Sequence, residues 1–582
     1  MSVLPMPLAD PAAPDRRRLL VRRPDFVWDP PTWVPVLAVL AAIATHVWVT
    51  WGADHPIIAL DEIVMLGNSR VLGGASPDWA LFGSGYMPGL ALLMAPAWWF
   101  TSDPLLVYRI GVWITVALAV IAIAPISALV RRCGIKGNAA VTVSAVVMMA
   151  PARALISNYL FAETLLLTAI ALSLVAAARM AESPTLGRGL VFGLSVGGVI
   201  LAHGRGTAIA VAAGLWCLMR LRHHWRSSMV AGVTAVVTSL GSYAVYLAVS
   251  DRLLLADHRV DATFGGLLDR PWGATLGALV GEFWYMCLAW PAIAAAGLVF
   301  AAARGRRGSG FEAYLVLSVV AMATMSAIAL NMQAPRHDAW FYGRYCDPLW
   351  TILAAMGLGV IVRLRWGAFS ATVLGVATVI SATFLLLTVP MISVDTEWID
   401  MHILGVSPWL NLNTFAEGGQ QEWPLLVGVT ITLTALVLAV AHFRAIVVPV
   451  VAALFMLLSM AHDSIAIDVR DGSRPADASV SGLSDLPAAV PIGASADLGT
   501  LINGLIFNSG DHPVEVVDVD DIPVGIEVVY TSSSDARPYY DGAEALIPSI
   551  GASMLAWVYP GEVFDELDRQ GLLMPPATAE QG

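Results

Sequence analysis

From Trp33 to Met460 the chain returns again and again to apolar runs. Each is roughly 17–25 residues, the length that a bilayer's hydrocarbon core demands of a helix. The first is WVPVLAVLAAIATHVWVTW at 33–51. In lipid every backbone polar group must be satisfied internally, so runs of this kind are read as a bundle of membrane-crossing helices. Composition agrees: 57% of residues are hydrophobic and 13% charged, against about 25% charged in soluble domains. The apolar runs predict a polytopic α-helical membrane protein with about 13 transmembrane helices. They lie near 33–51, 105–130, 138–154, 160–179, 188–202, 207–221, 228–249, 280–302, 311–332, 347–362, 368–390, 424–442 and 445–461.

Charge gives the direction. Arg16, Arg17 and Arg18 with Arg22 and Arg23, then Arg131/Arg132/Lys136, Arg179/Arg188, Arg220/Arg222/Arg226, Arg304/Arg306/Arg307, Arg363/Arg365 and Arg444 fall in every second connection. These are 19 of the 32 Lys and Arg residues, and the positive-inside rule puts that side in the cytoplasm. The expected layout is a multi-pass protein of the plasma (inner) membrane with a cytoplasmic N-terminus and an extracytoplasmic C-terminal domain. The opening, MSVLPMPLADPAAPDRRRLLVRRPDF, lacks the apolar core and cleavage site of a signal peptide and reads as a basic cytoplasmic tail. YMPGLALLMAPAWWF (86–100) is too short and too proline-rich to cross, and counting it would invert all later charge bias. It is expected to lie as a juxtamembrane helix in the outer interface, where Trp98 and Trp99 suit the headgroup level.

The segment after 463 turns Asp-, Ser-, Gly- and Pro-rich and carries short strand-like runs, VEVVDV (514–519) and GIEVVY (525–530). Helical patterns follow at 498–507 and 561–571. The expected domains are 1–30, a basic tail; 31–462, a transmembrane catalytic unit; and 463–582, a small soluble α/β domain outside. The net charge of −12 therefore averages two segregated populations. Cys133, Cys217, Cys287 and Cys346 show no CxxC spacing, hence neither a metal knuckle nor a disulfide framework.

With sidedness set, ionisable and aromatic residues gather at the outer helix ends. They include Asp61/Glu62 in IALDEIVML, Tyr86, Arg153, Glu163 in NYLFAETLLL, His203/Arg205 in HGRG, Glu282, and the run APRHDAWFYGRYCDP at 334–348. Arginine is unexpected in outer loops. Guanidinium forks bind phosphate oxygens, an apolar wall suits a lipid, and a carboxylate at the same level can take a proton from a hydroxyl. Each feature also has a plainer reading: a solvated acidic pair, an internally paired acid near the interface, a tight glycine turn, an aromatic belt with balancing charges.

These segments, in this order, resemble the GT-C superfamily of membrane glycosyltransferases: protein O-mannosyltransferases, bacterial aminoarabinose transferases, and mycobacterial mannosyl- and arabinosyltransferases. The resemblance rests on LDE soon after the first span, SGYMPGLALLMAPAWW running into DPLLVYRIGVWITVAL, the acid of YLFAETLLL, and RHDAWFYGRYCDPLW before a helix. It covers roughly residues 30–460. It implies an inverting transfer of a sugar from a polyprenyl-phosphate donor to an acceptor hydroxyl on the outer face, in cell-envelope glycan or glycoprotein synthesis. Asp61 would be the catalytic base and Glu62 its neighbour, orienting the loop or the acceptor. Glu163 and Tyr86 would position the acceptor, while Arg336, His337, Arg344, Tyr345, Tyr342, Arg205 and His203 would hold donor phosphate or sugar. No metal and no other cofactor is expected. Expected partners are the lipid-linked donor, a glycan or protein acceptor and membrane lipid, not nucleic acid. An Ala-, Val- and Arg-rich, almost Lys-free composition points to a high-GC genome and makes mannose or arabinofuranose the leading sugars. Two other readings compete: a lipid-linked sugar transporter or flippase, and a non-catalytic envelope scaffold. A transporter is expected to place its charges near the bilayer midplane, whereas these collect at helix ends.

Overall fold

The structure is a computed structural model. It describes residues 28–57, 61–74, 86–250, 272–306, 310–330, 337–363, 367–392, 400–414, 421–472, 482–495, 498, 501–509, 512–519, 521–532, 544–546 and 554–574. Most of the basic tail and Arg336 lie outside the described residues.

The chain is a multi-pass membrane protein. Among the described residues, eight helices are long and apolar enough to cross a bilayer: Trp33–Thr50, Pro104–Arg132, Glu163–Glu182, Gly206–Val249, Phe311–Ala329, Ala368–Met391, Trp423–Ala441 and Arg444–Asp463. The number becomes ten if each of two bent pairs is one crossing. Gly137–Met148 meets Pro151–Asn158 at 78°, and Trp272–Ala289 meets Ile293–Gly305 at 118°. A proline stands at each break, Pro151 and Pro291, where the missing N–H and the ring disrupt the helix. The second break also holds Ala292 at φ 61°. The expected span 280–302 is thus not a straight helix, and 138–154 turns aside after Met148.

Length and composition return fewer spans than the expected thirteen for definable reasons. Leu186–Ala202 has 17 residues, about 26 Å of helix. The helix Gly206–Ser250 is continuous but for His224, whose φ −140° and ψ 48° are non-helical. In its first half Trp216 packs edge-on against Phe192. In its second half the Thr238 hydroxyl donates to the Gly193 carbonyl at 3.1 Å. Residues 22 apart on a straight helix would be about 33 Å apart and could not both reach adjacent positions. The chain therefore folds back at His224, within the basic LRHHWR stretch, leaving two helices where the sequence predicts 207–221 and 228–249.

Packing is close where side chains vanish. A Cβ on Gly357 would fall 1.7 Å from the Ile293 carbonyl oxygen, and one on Gly297 would fall 2.0 Å from that of Leu353. Small residues bring helix backbones together in this way when lipid offers no hydrophobic drive between them. Pro104–Arg132 starts with Pro104 in its first turn and Asp103 capping Leu105 N at 2.9 Å.

The two ends of the bundle differ. One end carries Lys136–Asp29 (2.5 Å), Arg132–Glu182 (3.0 Å) and Arg363 donating to the Cys133 carbonyl (2.5 Å). The other carries the N-terminus of the helix Asp61–Leu72, the start of Glu163–Glu182, the turn at His203–Arg205 and residues 337–347. The short stretch Gly89–Met94 continues as a 3₁₀ turn, Ala95–Trp99. It packs on Asp61–Leu72 through Trp98 Nε1 donating to Ser69 Oγ at 2.8 Å.

A small mixed sheet closes the chain. Its strands are β1 (Ile492–Ser495), β2 (Val514–Val517), β3 (Val528–Ser532), β4 (Glu544–Leu546), β5 (Met554–Val558) and β6 (Leu573–Met574), in the order β2-β1-β3-β5-β4-β6. β1 is parallel to both β2 and β3, and the remaining pairs are antiparallel. The parallel β1–β2 pair requires a crossover, supplied by the helix Leu501–Asn508. A second helix, Glu562–Gln570, ends at Gly571 in the left-handed region, φ 69°, with Leu572 N reaching the Leu567 carbonyl at 3.0 Å. Both expected helices and both strand-like runs of this segment fall on observed elements.

Candidate active site

Asp61 and Glu62 open one helix, yet adjacent helical residues point about 100° apart and the two carboxylates do different things. Glu62 is fully buried. Its oxygens accept from Ile57 N, Leu160 N and the Tyr108 hydroxyl, each at 2.8 Å. It thereby fastens the loop before its own helix to the 155–162 loop. Asp61 faces the other way. Its Oδ2 pairs with Arg344 Nη2 at 2.6 Å, and its Oδ1 accepts from the Tyr86 hydroxyl. The Asp61 side chain keeps 24% of its surface exposed while that of Arg344 keeps 5%, so the carboxylate is the reachable member of the pair.

Arg344 is the hub. Its Nε donates to Glu163, its Nη2 to Asp61, and its carbon lies 3.8 Å from the centre of the Phe161 ring. Tyr159 stacks on Phe161 from behind, at 5.0 Å and 9°. Burial works against the guanidinium's charge, but Glu163 first and Asp61 next hold it firmly protonated, well above the ordinary arginine range. Arg344 can sit so deep because the chain before it is packed without a side chain: a Cβ on Gly343 would fall within the Tyr285 ring.

The remaining polar groups extend this hub sideways. Arg205 lies over the Tyr345 ring. Its backbone N–H donates to His203 Nδ1 at 3.2 Å, which requires a neutral imidazole. Desolvation, then Arg205, lowers the His203 pKa to about 4. Tyr345 packs on Tyr342 at 4.1 Å between ring centres, Tyr342 packs on His402 at 4.6 Å, and His402 pairs with buried Asp338 at 2.8 Å. Deeper in the bundle Asp347 accepts from the Tyr285 hydroxyl at 2.8 Å. Arg153, buried, uses Nε on the Ala152 carbonyl at 2.7 Å, and its Nη1 and Nη2 have no hydrogen-bond partner among the described residues.

Of the residues expected from sequence, Asp61, Tyr86, Glu163 and Arg344 come into direct contact, with His203, Arg205, Tyr342 and Tyr345 adjoining. Glu62 is close by but faces the scaffold. Arg336 and the His337 side chain lie outside the described residues. Phe161, Tyr108, Tyr285 and His402 went unread. Aromatics are ordinary in such helices and carry no signal, whereas His402, a lone histidine in its loop, could have been singled out. Among the described residues no three His, Cys, Asp or Glu side chains are grouped to hold a metal.

No protein-family model and no curated protein matches the sequence. Solved structures do match. ArnT from Cupriavidus metallidurans bound to undecaprenyl phosphate has a TM-score of 0.58 at 15% identity, over 92% of this chain and 99% of that one. The apo state of the same protein gives 0.55 at 17% identity, over 90% and 97%. Arabinosyltransferase EmbB from Mycobacterium smegmatis fits more loosely, with a TM-score of 0.42 at 15% identity, over 79% and 44%. At these identities the two ArnT matches show a shared fold, which is the part of the resemblance read from sequence that they test.

Proposed function

We propose that this protein is an inverting, polyprenyl-phosphate-dependent glycosyltransferase working on the outer face of the plasma membrane, with mannose or arabinofuranose as the sugar and a cell-envelope glycan or glycoprotein as acceptor. The observation that carries the reading is the Asp61–Arg344–Glu163 bridge: a partly exposed carboxylate held in place by a buried cation, in a fold shared with a structure bound to undecaprenyl phosphate.

The chemistry follows from the groups present. The acceptor hydroxyl gives its proton to Asp61 as its oxygen attacks the anomeric carbon. The bond from that carbon to the phosphate oxygen breaks, and the phosphate leaves with the electron pair on its lipid. Negative charge grows on the leaving phosphate, so a nearby cation stabilises the transition state more than the ground state. Arg205, less covered than Arg344, takes that part, with Arg336 and His337 from the run at 334–348. Arg344 sits behind it, its described hydrogen bonds spent on carboxylates. Tyr86 orients Asp61, while Tyr342 and Tyr345 wall the sugar. We also propose that no metal is needed, because the guanidinium supplies the positive charge between the two acids.

Asp61→Asn tests the assignment. With a synthetic polyprenyl-phosphate sugar as donor, its turnover should fall about 10²–10⁴-fold, the usual worth of a positioned acid–base group, while the lipid still binds. Full activity in that variant would refute the base. Deletion should make the lipid-linked donor accumulate or remove one terminal sugar, read by mass spectrometry. Unchanged pools of both would favour a scaffold.

A further inference from the structure

The C-terminal sheet has a hydrophobic core that it does not complete by itself. Among the described residues, its buried members from elsewhere in the chain are Ile63 and Val64, 0% and 7% exposed, and Tyr86 packs on its edge. Ile63 and Val64 lie on the helix that Asp61 opens, and Tyr86 bonds to Asp61. Ile63 meets the core formed by Ile502, Leu505 and Ile506 of the sheet's first helix, and Phe507 of that helix packs both there and against the cluster of Met65, Leu66 and Tyr108 beneath Asp61–Leu72.

Helical phase makes this contact directional. Taking Asp61 as zero, Glu62 points about 100° round the axis, Ile63 about 200° and Val64 about 300°. One turn of helix thus shows Arg344 a carboxylate, pins the loops with the next side chain, and gives the remaining flank, from about 200° round to about 300°, to the C-terminal sheet. Tyr86, whose hydroxyl donates to Asp61, touches both sides.

We propose that the C-terminal sheet is a clamp on the first turn of the Asp61 helix, and that Phe507, Ile63 and Val64 are positioning residues that set the attitude of the base toward Arg344 and Tyr86. The inference rests on Asp61 being the base. It gives residues 482–574 a task in turnover that needs no ligand site of their own.

The test uses the full-length protein in detergent or nanodiscs. Phe507→Ala, only partly buried in the parent, removes the residue that the C-terminal unit contributes to both clusters. Val524→Ala, fully exposed on the same unit, is the control. Hydrogen exchange of residues 61–72 and steady-state kinetics are read together. In Phe507→Ala, exchange of 61–72 should rise at least tenfold and kcat should fall at least tenfold, with the donor KM within twofold of the parent. Phe507→Leu should restore most of both, and Val524→Ala should change neither. Should Phe507→Ala fail to purify as a single species, Ile63→Val carries the same reading with a smaller shift. Unchanged exchange of 61–72 in Phe507→Ala overturns the clamp, as does a rise in KM equal to the fall in kcat. Faster exchange with unchanged turnover also overturns the positioning role, whereas full activity in Asp61→Asn removes the base itself, so the two failures are told apart.

Discussion

A single guanidinium joins two acids that are far apart in sequence and holds Asp61 in place. Arg344→Gln strands Glu163, 1% exposed, as a buried charge with its partner gone, which costs about 3–5 kcal/mol. The variant should unfold at lower denaturant and lose transfer. Arg344→Lys should not rescue it, since an ammonium cannot fork to two carboxylates. His203 gives a pH signature. Its folded pKa of about 4 lies below the ordinary 6.5, so the unfolded chain binds the proton more readily between those values. Stability from this group is therefore whole above about pH 6.5 and is lost as pH falls toward 4. His203→Asn should lose less melting temperature than the parent between pH 7 and pH 5. Chelation offers a third check: washing with EDTA should leave the transfer rate unchanged if the bridge needs only Arg344.

At the level of elements, charge in an apolar context was easy to read and helical phase was not. Arg205 and Arg344 stood out because the charge pattern assigns arginine to the opposite helix ends, and Asp61 and Glu163 because they are acids set beside long apolar runs. The division of labour between Asp61 and Glu62 did not, because it turns on a 100° rotation and on which neighbour each side chain meets. The bend at Pro291 was hidden for a similar reason: proline occurs within other helices here, as Pro125 does in Pro104–Arg132, so its presence does not announce a 118° turn. The interlock that follows that bend is testable. Gly357→Ala places a Cβ 1.7 Å from the Ile293 carbonyl, and overpacking of this kind typically costs about 1–3 kcal/mol. The variant should melt lower, while Gly428→Ala, which meets open space, should not.

Across the whole molecule, the ends of the bundle are unlike: ion pairs and basic loops at one, the carboxylate–guanidinium hub and the C-terminal sheet at the other. The positive-inside rule assigns the first to the cytoplasm, which places Val524 outside. Val524→Cys should therefore react with a membrane-impermeant maleimide in intact cells, and Arg131→Cys only after permeabilisation. The reverse pattern would invert the layout. Such labelling is clean because Cys133, Cys217, Cys287 and Cys346 are all buried and free. The same burial bears on durability. On the proposed layout, the part of the chain that faces oxidising surroundings beyond the cell's reducing pool presents no accessible thiol to them, so none is open to cross-linking or thiol exchange while the chain stays folded.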